Sequence, residues 1–187
     1  MLAAAIKLMQ AGKRPSVPEV AEAARISRRT AYRYFPSQEQ LLTDAALDML
    51  RPTVEASFAS VEADPEARID AAVHTMLYQA AANEDLLRTM IRLTIERGGD
   101  EQRHRNKPVR GGRRIDWIES ALAPVRSRLS QRAFSRLVSA VALCVGAEAL
   151  IVLRDVRGLD VEHVADVESW AARALVRAAL QEAGNEK

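Results

Sequence analysis

Three serines at the front of the chain, Ser16, Ser27 and Ser37, each head a segment that reads as helix, and they recur every ten or eleven residues. Ser16-Val17-Pro18-Glu19 is a capping box: the serine hydroxyl serves the amide three residues on, the glutamate reaches back, and proline is tolerated in the first turn. Ser37-Gln38-Glu39-Gln40 is its S-x-x-Q counterpart, and Ser27 caps the segment between them. Restarting this often limits each helix to about two or three turns. The front of the chain must therefore be short helices joined by tight turns. Segment 17–24 places Val17, Val20, Ala21 and Ala24 on one face, with Ile26 following in the turn. In the next segment Ala31 and Phe35 share an inward stripe, whereas Arg28 with Tyr32, and Arg29 with Arg33, lie on outward stripes by their i, i+4 spacing.

The same reading extends to the whole chain. Of its 187 residues 48% are hydrophobic but only 4% aromatic, and Ala, Leu, Val, Arg and Glu recur with few glycines or prolines, which favours helix over strand. Breaks at Pro, Gly and capping residues predict helices near 1–11, 17–24, 28–34, 38–50, 53–63, 66–82, 84–97, 113–128, 131–156 and 161–183. The expected fold is all-α, with a three-helix domain over 1–45 and a larger helical domain over 46–187. No internal repeat is visible. Gly98–Gly112, with four glycines and almost no apolar content, reads as a poorly ordered loop, its basic side chains and His104 offering DNA or lipid contact as the alternative.

Charge narrows the function. Residues 1–50 hold seven Lys/Arg against five Asp/Glu, and the remainder holds twenty of each, so the formal excess of +2 sits at the front. Residues 25–34 carry four arginines and no carboxylate, a local field that draws phosphate. The single cysteine, Cys144, excludes a disulfide framework and a multi-cysteine zinc site, and suits a reducing cytoplasm. Its apolar run is interrupted by Glu148 and ends at Arg154, short of the roughly 20 residues a membrane helix needs, and no signal peptide opens the chain. A soluble cytoplasmic protein is expected, with no membrane partner. No glycine-rich phosphate loop, G-x-S-x-G elbow or H-E-x-x-H is present, so neither an enzyme nor a cofactor is expected. Asp160, His163 and Asp166 have a spacing that suggests a metal, but capping by Asp160 explains them, and no metal site is expected.

A helix that turns Arg-Arg-Thr-Tyr-Arg outward after a capped, tightly connected helix has the layout of a major-groove reader: residues near its N-terminus reach base edges while the preceding helix crosses the backbone. Arginine there bonds guanine bidentately, and tyrosine hydroxyls suit phosphates. The alternative for Tyr32 and Tyr34 is simple ring packing, and for the arginines solvated charge. The stretch SVPEVAEAARISRRTAYRYFPSQEQLL resembles the DNA-binding domain of tetracycline-repressor-type (TetR) regulators, whose hallmark T-x-Y-x-[HY]-F-x-[ST]-[KR]-x-x-L is matched at Thr30, Tyr32, Tyr34, Phe35, Ser37 and Leu41. The resemblance covers Leu2 to about Leu50; beyond that it is one of helical layout and length. It implies that Arg28, Arg29 and Thr30 face bases, that Tyr32 reaches a base or phosphate, and that Ser16 and Tyr34 touch phosphates, with Ser27, Arg33 and Gln38 on the same surface. Three positions depart from the family pattern. Gln38 stands where lysine is usual, Arg25 where the turn has glycine, so that it is either left-handed at some cost or in a different turn, and Ala31 where a larger aliphatic packs.

The resemblance further implies that the larger part binds a small molecule and holds a homodimer together, acting as a repressor on a palindromic operator. Segments 131–156 and 161–183 are the longest predicted helices and carry Ala140, Gly146, Ala147, Ala149, Ala171, Ala174 and Ala178, small residues that allow close approach in a two-fold four-helix interface. Polar residues on segments 66–82, 84–97 and 113–128, namely His74, Tyr78, Arg92, Thr94, Glu96 and Trp117, with Met76, Leu77 and Met90 as apolar neighbours and the two methionines the adaptable ones, are candidate ligand contacts; a hydrogen-bonded core role is the alternative. Glu148, amid Ala and Leu, is expected either to pair with an arginine across the dimer or to answer a cationic ligand. The competing reading of the whole chain is a helical small-molecule-binding or interaction protein with little DNA binding.

Overall fold

The computed structural model describes residues 1–49, 51–59, 61, 64–97 and 112–185, and every regular element among them is helical. Packing groups them into two compact units: Met1–Arg51 with the described residues of Asp85–Arg110, and Pro52–Glu84 with the described residues of Gly111–Lys187. The expected loop over 98–112 lies, except for Gly112, outside the described residues.

In the first unit α1 (Leu2–Gln10), α2 (Val17–Ala23), α3 (Arg28–Tyr34) and α4 (Gln38–Asp48) enclose a small core of Ala5, Val17, Val20, Ala21, Ala31, Leu41 and Ala45, edged by Leu2, Ile6, Ile26 and Phe35. Ala31 is fully buried, so its small side chain leaves no surface opening: the helices close around it. Both α1 and α2 end in the same device. Gly12 (φ 76) donates its N–H to Met9 O and Lys13 donates to Leu8 O; Arg25 (φ 54) donates to Glu22 O and Ile26 to Ala21 O. These are Schellman motifs, and the second places an arginine in the left-handed position that glycine fills in the first. Arg25 therefore keeps the tight turn rather than replacing it. Also in this unit is α7 (Glu84–Arg97) from Asp85 onward. Arg92 on α7 pairs at 2.8 Å both with Glu39 in the first turn of α4 and with Glu96 one turn along its own helix.

The second unit contains α5 (Arg51–Ala59) from Pro52, α6 (Pro65–Ala82), α8 (Arg113–Ala121), a 3-10 turn (Ala123–Arg128), α9 (Gln131–Cys144), α10 (Ala147–Ile151), a π turn (Val152–Val156) and α11 (Val161–Asn185). Its α6 buries Ile69, Ala72, Val73, Met76, Leu77 and Ala80 and packs along α11, with α8 and α9 completing the core through Ile118, Leu122, Phe134, Leu137, Val138 and Val141. Arg68 on α6 gathers carbonyls from two helix ends, donating to Phe58 O at 2.8 Å and Ala121 O at 3.0 Å, which satisfies acceptors that a helix terminus leaves open.

Two predicted helices are broken. Segment 113–128 stops at Ala121 and continues as a 3-10 turn around Pro124. Segment 131–156 is interrupted at Val145-Gly146, where Gly146 adopts φ 98, and ends in the π turn. At about 1.5 Å per residue the 14-residue α9 is therefore about 21 Å long rather than the 35–40 Å of a continuous helix, while the 25-residue α11 runs the full length of about 37 Å. Gln131–Val156 is also the one stretch among the described residues that is long and apolar enough to cross a membrane; here it buries one face of α9 in the core.

Candidate nucleic-acid interface

The Ser27 hydroxyl caps α3 by accepting the Thr30 N–H at 3.1 Å and lies 2.9 Å from the Thr30 hydroxyl, which holds Thr30 at the helix entrance. The seven residues of α3 then divide by period. Ala31 points into the core and Phe35 packs at its edge, which leaves Arg28, Arg29, Tyr32, Arg33 and Tyr34 exposed. Tyr34 is 60% exposed although it carries a large apolar ring, so the ring is not a packing element. The Arg33 guanidinium lies 5.2 Å from the Tyr34 ring centroid, a cation–π contact that steadies both side chains while keeping them outside. The result is a short helix with one buried alanine and an outward face of three arginines, two tyrosines and a threonine.

Two of the flanking candidates have their side chains engaged inside the protein. The Ser16 hydroxyl accepts the Glu19 N–H at 3.4 Å and donates to the Glu19 carboxylate at 2.6 Å, while the Ser16 N–H donates to the same carboxylate at 2.7 Å. These bonds hold the Glu19 carboxyl below its usual range, with Lys13 adding a smaller attraction. Gln38 turns its side-chain amide inward, donating to Arg14 O and Pro15 O at 3.1 Å each. Where a lysine would extend toward a phosphate, Gln38 instead ties the start of α4 to the loop before α2.

A capped reading helix, set by a tight turn against a preceding helix and presenting basic and aromatic side chains outward, defines a helix-turn-helix DNA-binding domain. Residues 1–45 match the family model described as bacterial regulatory proteins, tetR family. The front of the chain is thus a tetR-family domain, and the protein is a DNA-binding transcriptional regulator. No curated protein and no solved structure matches the chain.

The candidate ligand contacts do not converge on one unit. Met90, Arg92 and Thr94 fall in the first, where Thr94 donates to Met90 O at 2.8 Å and Arg92 is held by its two glutamates. His74, Tyr78, Trp117 and Glu148 fall in the second. His74 and Tyr78 meet edge to face at a centroid distance of 6.3 Å, with Tyr78 exposed, and the Trp117 Nε1–H is buried without a hydrogen-bond partner. Glu148 is half-exposed and pairs with Arg114 of its own chain at 2.8 Å. Of the two expected roles, pairing with an arginine is met here by one of its own chain, at a helix that restarts after the break at Gly146. The buried carboxylate is Glu168 on α11, at 0% exposure with neither oxygen hydrogen-bonded. Desolvation pushes its carboxyl up to about 8, offset in part by the Gly146 amide, which approaches without full hydrogen-bond geometry, and by the nearby Arg114 guanidinium. A signal was present in the sequence: Val164, Ala165, Glu168 and Ala172 repeat at helical spacing, so Glu168 occupies an apolar-face position.

Proposed function

We propose that the protein is a cytoplasmic, ligand-responsive repressor that binds a palindromic operator as a homodimer and leaves it when a small molecule enters the second unit. The observation that carries the reading is the division of α3, in which Ala31 alone is buried and Arg28, Arg29, Tyr32, Arg33 and Tyr34 all face out. Arg28, Arg29 and Thr30, nearest the helix start, read base edges; Tyr32 reaches a base or phosphate; Tyr34 and Arg33 hold phosphates. Ser27 acts mainly by capping. The hydroxyl of Ser16 and the amide of Gln38 contribute through the backbone they position, since their own donors are engaged.

Dimerisation is supported by a second feature. Leu143 on α9 and Trp170 on α11 are 81% and 65% exposed, with Val167 and the small Ala178 also on the surface of α11. Large apolar side chains left in water are costly, and exposed ones on two helices suit burial in a contact with a second copy.

Selection of bound duplexes from a random library at near-physiological salt tests the reading. A two-fold symmetric motif is expected, with Arg28→Ala or Arg29→Ala costing about 1–3 kcal/mol and relaxing preference at one base pair of each half-site. A salt slope near zero, where each neutralised phosphate contributes about 0.9, refutes DNA reading by this face.

A further inference from the structure

The second unit contains a group of buried polar atoms that its fold does not satisfy. Glu168 has both carboxylate oxygens unpartnered at 0% exposure, and the neighbouring Ser169 hydroxyl is also buried without a partner. Arg114 does not neutralise Glu168 by direct contact. Its Nη1 donates to Val145 O at 2.9 Å and to the Glu148 carboxylate at 2.8 Å, so its charge is committed elsewhere. One turn along α8 from Arg114, the Trp117 Nε1–H is again buried and unpartnered. The helix break lies at this place, since the Gly146 amide approaches Glu168 and the Arg114 guanidinium lies against the Gly146 backbone. Unsatisfied buried polar groups are destabilising, and a buried carboxylate left unpartnered beside a helix break is a group that a donor from outside would satisfy.

We propose that Glu168 is the carboxylate that receives the cationic N–H donors of the effector, a small molecule carrying a protonated amine or amidine. This rests on the reading of the chain as ligand-responsive and names the chemistry of its ligand. An amidinium presents two parallel N–H donors that match two open carboxylate oxygens, and an attached apolar body is the part that suits the surrounding aliphatic core. Only a cation gains from ionising the buried carboxyl: an anion is repelled by the ionised form, and a neutral apolar ligand leaves its oxygens unmet.

Binding is coupled to protons. In the free protein Glu168 holds a proton near neutral pH; on meeting the cation it ionises and releases that proton to solvent, and the ion pair replaces the neutral acid. The titratable and charged groups bearing on it are Arg114 of α8, Cys144 of α9, whose thiol is itself pushed up by burial and then by Glu168, and Glu148 of α10, which is held by Arg114. From α6, Asp70 and Glu66 face α11 but pair there with Arg173 and Arg177, and His74 lies against Tyr78.

The test uses the full chain with three probes of one shape, benzamidinium, benzamide and benzoate, and with methylammonium and benzylammonium as smaller and more flexible cations. Calorimetry and thermal melts at pH 6, 7 and 8 read binding. At least one cation should bind the native protein about tenfold tighter at pH 7 than at pH 6 and release close to one proton there, both effects shrinking toward pH 8, while benzamide and benzoate do not bind. E168Q, which keeps the shape of the neutral acid, should lose that binding and its pH dependence at an undiminished melting temperature; proton release from the native protein is a readout that needs no variant. No binding by any cation, or binding unchanged in E168Q, overturns the proposal. Operator release is measured separately: a cation that binds through Glu168 without weakening DNA binding supports the site but refutes its role as effector site and the ligand-responsive reading.

Discussion

Replacing Glu168 by Gln should stabilise the second unit, and by an amount that grows with pH. The folded protein holds the carboxyl at about 8 against 4.5 for the free side chain, so between those values the native state binds one proton that the unfolded chain does not. Stability from this group is thus fully present below about 4.5 and is lost as pH rises toward 8, at about 1.4 kcal/mol per unit and about 5 kcal/mol in all. Because domains are stable by only about 5–15 kcal/mol, this is a substantial fraction. Urea denaturation of the native chain and E168Q at pH 5.5, 6.5 and 7.5 reads the difference. Both tryptophans, Trp117 and Trp170, lie in the second unit, so their fluorescence reports that unit alone. Subtracting the two profiles cancels groups common to both chains, such as His163, whose imidazole is held above its usual range by Asp160. The advantage of E168Q should widen by about 3 kcal/mol from pH 5.5 to 7.5. Parallel profiles would refute the argument, because they would mean that Glu168 is as well solvated in the folded chain as in the unfolded one.

Arg25→Gly should stabilise the first unit by about 0.5–1 kcal/mol, since the left-handed conformation costs an L-residue about 1–2 kcal/mol and glycine returns part of that as chain entropy. Slower hydrogen exchange at Val20 and Ala21 is the readout, and unchanged exchange would show that φ 54 carries no strain. Gly146→Ala should cost about 1–3 kcal/mol, because a methyl group there sits 2.4 Å from Arg114 Nη1 at φ 98; adding Arg114→Ala should cost less than the two changes summed, by about 0.5 kcal/mol or more. Trp170→Glu combined with Leu143→Glu should yield monomers in light scattering at micromolar concentration with melting temperature intact; an unchanged mass places the dimer contact elsewhere.

Much of the outward face of α3 was legible because it depends on neighbours within about four residues. Ser27 caps Thr30, Ala31 is inward because its stripe is apolar, and Arg28, Arg29, Tyr32 and Arg33 are outward because theirs is not. What the same reading missed beyond that helix is the direction of the Gln38 side chain, whose partners Arg14 and Pro15 lie more than twenty residues away. For the ligand candidates a helix face states only which side is inward and not which unit the helix joins, and Met90, Arg92 and Thr94 fall in a different unit from His74, Tyr78, Trp117 and Glu148.

By itself the sequence determined the all-helical class, the three serine caps and the basic outward face of α3, each set by hydrogen bonds and side-chain periods confined to a few consecutive residues; which of two turns Arg25 makes it left open. Tertiary structure alone decided that a 26-residue apolar stretch breaks at Gly146, that Arg114 binds Glu148 within one chain, and that the Glu168 oxygens are left without a partner. The physical reason is distance along the chain: Arg114 reaches across 34 residues to Glu148, and only folding brings its guanidinium against a glycine that has no side chain to refuse it.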